Sequence, residues 1–119
     1  MTLSMPPSGT RVGCVVAGCE FHGRSLTLLG YGVLKCMSVP GDEAVSTLAI
    51  ESRTQKWLAP EIHLDDGNRL WGGAECEWGE EDRVKADVVE VLRSGGGVVE
   101  MSIADLRTER LAAMRQRAN

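Results

Sequence analysis

The stretch Glu61 to Gly79, EIHLDDGNRLWGGAECEWG, constrains the fold more than any other part of the chain. An apolar–polar alternation runs into Asp65-Asp66-Gly67-Asn68 and resumes beyond it, the pattern of a β-hairpin. Read as one continuous second arm, it puts Leu70, Gly72, Ala74, Cys76 and Trp78 on one face. Trp71, Glu75 and Glu77 fall on the other. A tryptophan sharing a face with two carboxylates is the best candidate for a recognition surface, with Glu61 and His63 across the hairpin. Trp78, beside the small residues Gly72 and Ala74, reads as core.

The flanking segments extend this into a small β-rich domain. Residues 1–10, with Pro6-Pro7-Ser8-Gly9, read as a flexible lead-in, and residues 11–119 as a single α+β domain. Residues 11–18 have the β-branched content of a first strand, and 25–39 read as a strand pair or one bent strand. Gly30 and Gly32 flank Tyr31 and mark a bulge or bend, which makes Tyr31 a second candidate anchor. Residues 40–57 stay open between strand, helix and lid. Trp57, just before Leu58-Ala59-Pro60, reads as a plug at a barrel end, with a lid as the alternative.

Gly79-Glu80-Glu81-Asp82 opens a helix to about Arg93, its acidic first turn matching the positive end of the helix dipole. Val84, Val88, Val91 and Leu92 form its apolar stripe. Ser94 and three glycines end it, 97–103 alternates as a last strand, and 104–116 reads as a second helix with a stripe of Ile103, Leu111 and Met114. The expected fold is α+β: a strongly bent antiparallel sheet or partial β-barrel with one or two packed helices.

Composition narrows the function classes. A net charge of −4 lacks the basic footprint of a nucleic-acid binder, so nucleic acid is an unlikely partner. The arginines at 107, 110, 115 and 117 fit the C-terminal end of a solvated helix. The opening residues lack the basic and apolar regions of a signal peptide, and no apolar run reaches membrane-spanning length. A cytoplasmic protein with reduced cysteines is expected.

Catalytic and metal signatures are weak. Cys14-x4-Cys19-x2-His22, with Cys36, His63 and Cys76, offers too few paired ligands for structural zinc, and Cys14, Cys36 and Cys76 occupy positions that suit small core residues. No third residue orients a Cys–His pair for nucleophilic catalysis. Gly30-Tyr31-Gly32 lacks the spacing of a dinucleotide loop, and the glycines at 95–97 follow a helix instead of opening one. No metal or cofactor is expected.

Residues 64–82, LDDGNRLWGGAECEWGEED, resemble a segment of small phage- or prophage-encoded accessory proteins of unknown role. In those a leucine-aspartate-x-glycine turn leads into a W/Y-G-C-E-C-W-W-G strand and an acidic helix start. The segment VVEMSI before the last helix is similar too, so the resemblance spans about residues 58–106. Ala74 and Glu77 depart from the pattern, standing where the first of two cysteines and the first of two tryptophans would be. The resemblance implies a phage accessory protein acting in a bacterial cytoplasm and supplies no catalytic residue. The expected function is a non-enzymatic counter-defence factor, a homo-oligomer that blocks a host protein or sequesters a small nucleotide signal. Its contact residues would be Trp71, Glu75, Glu77, Glu61, His63 and Tyr31. The alternatives are a metal-assisted hydrolase using Glu75 and Glu77, and a structural phage component.

Overall fold

The computed structural model describes residues 5–20, 23–45 and 58–118. Its centre is an unusually long strand. β1 (Arg11–Glu20) turns back into β2 (Gly23–Ser38), and their antiparallel register runs from Arg11 opposite Val33 to Glu20 opposite Gly23. The register slips once, between Cys14 and Val15, where Leu29 and Gly30 together oppose Cys14. Gly30 has φ +138°, a conformation that side chains resist and glycine adopts freely at this irregularity. The extra residue reverses the alternation. Leu29 and Tyr31 would share a face in a regular strand, yet Leu29 joins one hydrophobic core and Tyr31 the other.

β3 (Ala59–Leu64) pairs antiparallel with the C-terminal half of β2, and β4 (Arg69–Trp71) closes the expected hairpin across the Asp65–Asn68 turn. β5 (Glu77–Glu80) crosses to the far edge and pairs with β1, giving the order β4-β3-β2-β1-β5. A single bridge from Gly72 to Cys76 joins the ends of the two edge strands, and the sheet stays open.

Helix α1 (Glu81–Arg93) carries the chain back over the sheet to β6 (Gly97–Glu100), which pairs in parallel with Ser25–Leu28 of β2. A crossover helix permits this parallel pairing, which the alternation within residues 97–103 could not reveal. Helix α1 starts in acidic residues as expected and ends with Gly96 N–H to Val91 O and Gly95 N–H to Leu92 O, the paired bonds of a Schellman motif. Helix α2 (Ile103–Ala118) begins where Ser102 Oγ accepts the Asp105 N–H at 3.1 Å, a side-chain cap.

The sheet therefore has a core on each face. Val12, Cys14, Leu29, Leu34, Ile62, Leu64 and Leu70 meet Ile103 and Leu106 of α2 on one face, and Trp78 packs partly buried against them. Val15 and Leu26 meet Val84 and Val91 of α1 on the other. The helical stripes are narrower than their sequence periodicity: Leu92 and Leu111 are exposed, while Leu106 is buried. Residues 8–10, read as part of a flexible lead-in, are tied to β2 by Gly9 N–H to Leu34 O and Leu34 N–H to Thr10 O. Most of the open segment 40–57, including Trp57, lies outside the described residues, as does His22.

Candidate functional site

The structure divides the six expected contact residues among four places. The hairpin brings Glu61, His63 and Trp71 together on the sheet face opposite Ile62 and Leu70, with Glu61 paired to Trp71 and His63 to Arg69. Trp71, however, is not an exposed anchor. It is 1% accessible, with the Arg69 guanidinium 4.9 Å from its ring centroid and Gly41 against its outer edge. The Glu43–Arg69 ion pair ties the segment after β2 across it.

A chain of hydrogen bonds runs through this face. Trp71 Nε1–H donates to Ser38 Oγ at 2.8 Å, and Ser38 Oγ donates to Glu61 Oε1 at 2.8 Å. Glu61 Oε2 meets His63 Nε2 at 2.5 Å. The His63 bond first, then that from Ser38, holds the Glu61 carboxyl below the usual carboxylate range. These residue types belong to hydrolytic triads, but the order here is different. The carboxylate stands between hydroxyl and imidazole, so the imidazole has no contact through which to take the serine proton.

Glu75 requires a correction. The second hairpin arm breaks after Trp71, where residues 73–75 form a turn with Glu75 N–H bonded to Trp71 O. That turn sends the Glu75 side chain inward, where it is 1% accessible. Its Oε1 accepts from Val45 N–H and Arg107 Nε, and its Oε2 from Trp71 N–H and Arg107 Nη2. Four donors occupy the carboxylate, leaving it neither a free base nor a ligand. Glu77 is exposed on β5 opposite Val15, so the two glutamates form no pair.

Tyr31 stands at the fourth place, where the sheet forks. The β3 pairing of β2 begins at Gly32 and the β6 pairing ends at Leu28. Tyr31 O accepts Asp65 N–H and Leu28 O accepts Met101 N–H, which pins both sides of the gap. The result is an open notch of about 380 Å³. Leu28, Leu29 and Met101 give it apolar walls, Tyr31 stands at one side, and Asp66, Glu100 and Asp105 supply carboxylates. Lys85 sits 5.3 Å from the Tyr31 ring centroid, and partial burial pushes the phenol upward.

Two of the three described thiols are architectural, and Cys36 departs from the core position expected of it. Cys14 and Cys76 are buried in one core and hydrogen-bond each other, and that bond followed by burial drives the Cys76 thiol strongly upward. Cys36 is exposed. Among the described residues no three His, Cys, Asp or Glu side chains converge to hold a metal ion, and no helix is long and apolar enough to cross a membrane.

Sequence reasoning missed Ser38, Glu43 and all of the notch except Tyr31, and the solvated helix end it expected for Arg107 is corrected by that residue's bonds to buried Glu75. Arg69 was not among the expected residues either, although the hairpin register sets it opposite His63. Nothing local in the sequence signals that residues 28–31, 66 and 100–105 meet. No family model matches the chain, and no curated protein or solved structure matches it either.

Proposed function

We propose that this protein is a non-enzymatic binding module whose recognition site is the notch at Tyr31. The observation that carries this reading is the notch itself: a preformed recess within the size range of ligand pockets, walled by apolar side chains and edged by a few polar ones. Strand pairing on both sides fixes its shape, so little ordering opposes binding. The serine, histidine and glutamates nearest to catalytic types are linked in an unproductive order or bound within the fold.

The likeness of residues 64–82 to phage accessory proteins supplies the biological setting. In that setting the module is a cytoplasmic counter-defence factor, acting as a homo-oligomer, that blocks a host protein or sequesters a small nucleotide signal. The test is native mass spectrometry of the protein with bacterial lysate fractions, comparing the wild type with Glu100→Trp. Glu100 lines the notch on an exposed strand, so the substitution fills the recess without touching the core. A defined target bound by the wild type and lost in the variant, at unchanged melting temperature, is the expected result. A target bound equally by both would move recognition away from the notch. Absence of any bound protein or nucleotide would overturn the reading.

A further inference from the structure

We infer that Cys14 and Cys76 form a redox lock: oxidation by a peroxide joins their sulfurs and fastens β1 to the connection between β4 and β5. Neither thiol lines the notch. Both belong to the core cluster that meets α2, with Cys14 fully buried and Cys76 9% accessible.

Register and local backbone bring the pair together. Cys14 pairs with Trp78 of β5, and Cys76 precedes Trp78 by two residues, so alternation points both thiols to one side of the sheet. A regular ladder would hold such diagonal neighbours too far apart for a disulfide. Both residues sit where the ladder is broken. Cys14 lies at the register slip of β1 on β2, and Cys76 directly follows the turn at 73–75, where Gly73 has φ +79°. The thiols accordingly come within hydrogen-bonding reach of each other.

Burial selects the chemistry. An alkylating agent would add atoms to a filled core, whereas a disulfide removes two hydrogens and draws the sulfurs closer, so it needs no new space. Peroxide is small and meets Cys76 first, the more accessible of the two. It transfers one oxygen to the Cys76 sulfur, giving a sulfenic acid and one water. The Cys14 thiol attacks that sulfur and expels the oxygen as a second water, leaving the S–S bond. The two thiols are oxidised, and both peroxide oxygens end as water. The hydrogen bond and burial that push the Cys76 thiol upward keep it protonated at rest, so the step is slow and needs excess peroxide.

The bond would act at a structural joint. Cys76 follows Glu75, whose carboxylate takes the Val45 and Trp71 N–H groups and the Arg107 guanidinium of α2. Tying the next residue to β1 therefore locks the turn that holds these segments. The experiment uses the full chain carrying Cys36→Ser, which removes the exposed thiol. The native protein is treated with hydrogen peroxide and mapped by non-reducing peptide mass spectrometry. A Cys14–Cys76 linked peptide within one chain is expected, lost on adding dithiothreitol and absent from Cys76→Ala. The linked protein should melt roughly 5–15 °C higher. Amide exchange over Gly73–Cys76 should slow about tenfold or more.

The peptide map identifies the bond in the native chain, so the result does not depend on Cys76→Ala folding. Sulfinic acid at Cys76 with no link would overturn the assignment. So would a link made through Cys19 in its place, or a Cys14–Cys76 link that forms only in urea. A link that leaves melting and amide exchange unchanged would show a bond that locks nothing, and the lock would fall.

Discussion

Arg107 forks onto Glu75, with Nε 2.8 Å from Oε1 and Nη2 2.9 Å from Oε2, and the carboxylate between them has no exposed side-chain surface. Arg107 Nη2 also bonds Arg69 O, while Glu75 takes the N–H groups of Trp71 and Val45. One ion pair therefore fastens α2, β4 and the segment after β2. It also occupies the outer edge of β4, which would otherwise offer unpaired backbone to another chain.

Removing either partner strands a buried charge. Arg107→Ala or Glu75→Ala should each lower unfolding free energy by about 3–5 kcal/mol. Replacing both together should cost less than the sum of the single changes, because the surviving charge is then absent. Urea unfolding of the two single variants and the double variant checks this. Strict additivity would show that the pair is not coupled.

Ser38 bridges Trp71 Nε1 and Glu61 Oε1. Ser38→Ala should leave the indole N–H without its partner and cost about 1–3 kcal/mol. Because Trp71 is buried, the variant should also change tryptophan emission in the native state. A Ser38→Ala protein with wild-type stability and spectrum would show that the hydroxyl bridges nothing of consequence.

Acid should weaken the fold in a defined window. Asp65 and Glu81 are held below the usual carboxylate range chiefly by hydrogen bonds from Arg11, Glu43 by those from Arg69, and Glu61 by His63. Folded-state pKa values below the unfolded ones give stability that is present above the ordinary carboxylate range, about pH 4. That stability is lost as pH falls through the depressed values. Chemical denaturation should therefore show a falling midpoint below about pH 5. Arg11→Ala should raise the NMR-measured pKa of Asp65 and Glu81 together. Unmoved values would show that Arg11 does not bridge the hairpin turn to α1.

Thiol chemistry should follow burial. In the native protein, iodoacetamide should modify Cys36 well before Cys14 and Cys76, which should react only on unfolding. Peptide mapping after timed labelling reads this directly. Early modification of Cys76 would mean that the turn at 73–75 opens readily.

The sequence was most legible where signals are local. The turn at Asp65–Asn68, the acidic start of α1, its glycine stop and the bulge at Gly30 all depend on residues within a few positions of one another. Trp71 shows the limit. Alternation sets its hairpin face, but its cover comes from Gly41 and Glu43, and alternation along one strand carries nothing about a segment laid across it. Glu75 misled for a related reason. A glycine pair inside an alternating run ended the strand, and the next residues turned the carboxylate toward an arginine on the last helix. The notch was invisible because the parallel placement of β6 depends on where a crossover helix lands.

The position of β6 also sets an order of assembly. Ser25–Leu28 of β2 wait for partners that lie near the other end of the chain. During synthesis that half of β2 leaves the ribosome early and keeps one edge bare until residues 97–100 arrive. Such late, long-range closure favours slow final folding and leaves nascent chains open to mispairing with one another. The recess beside Tyr31 exists only once that closure is complete, so its shape belongs to finished molecules alone.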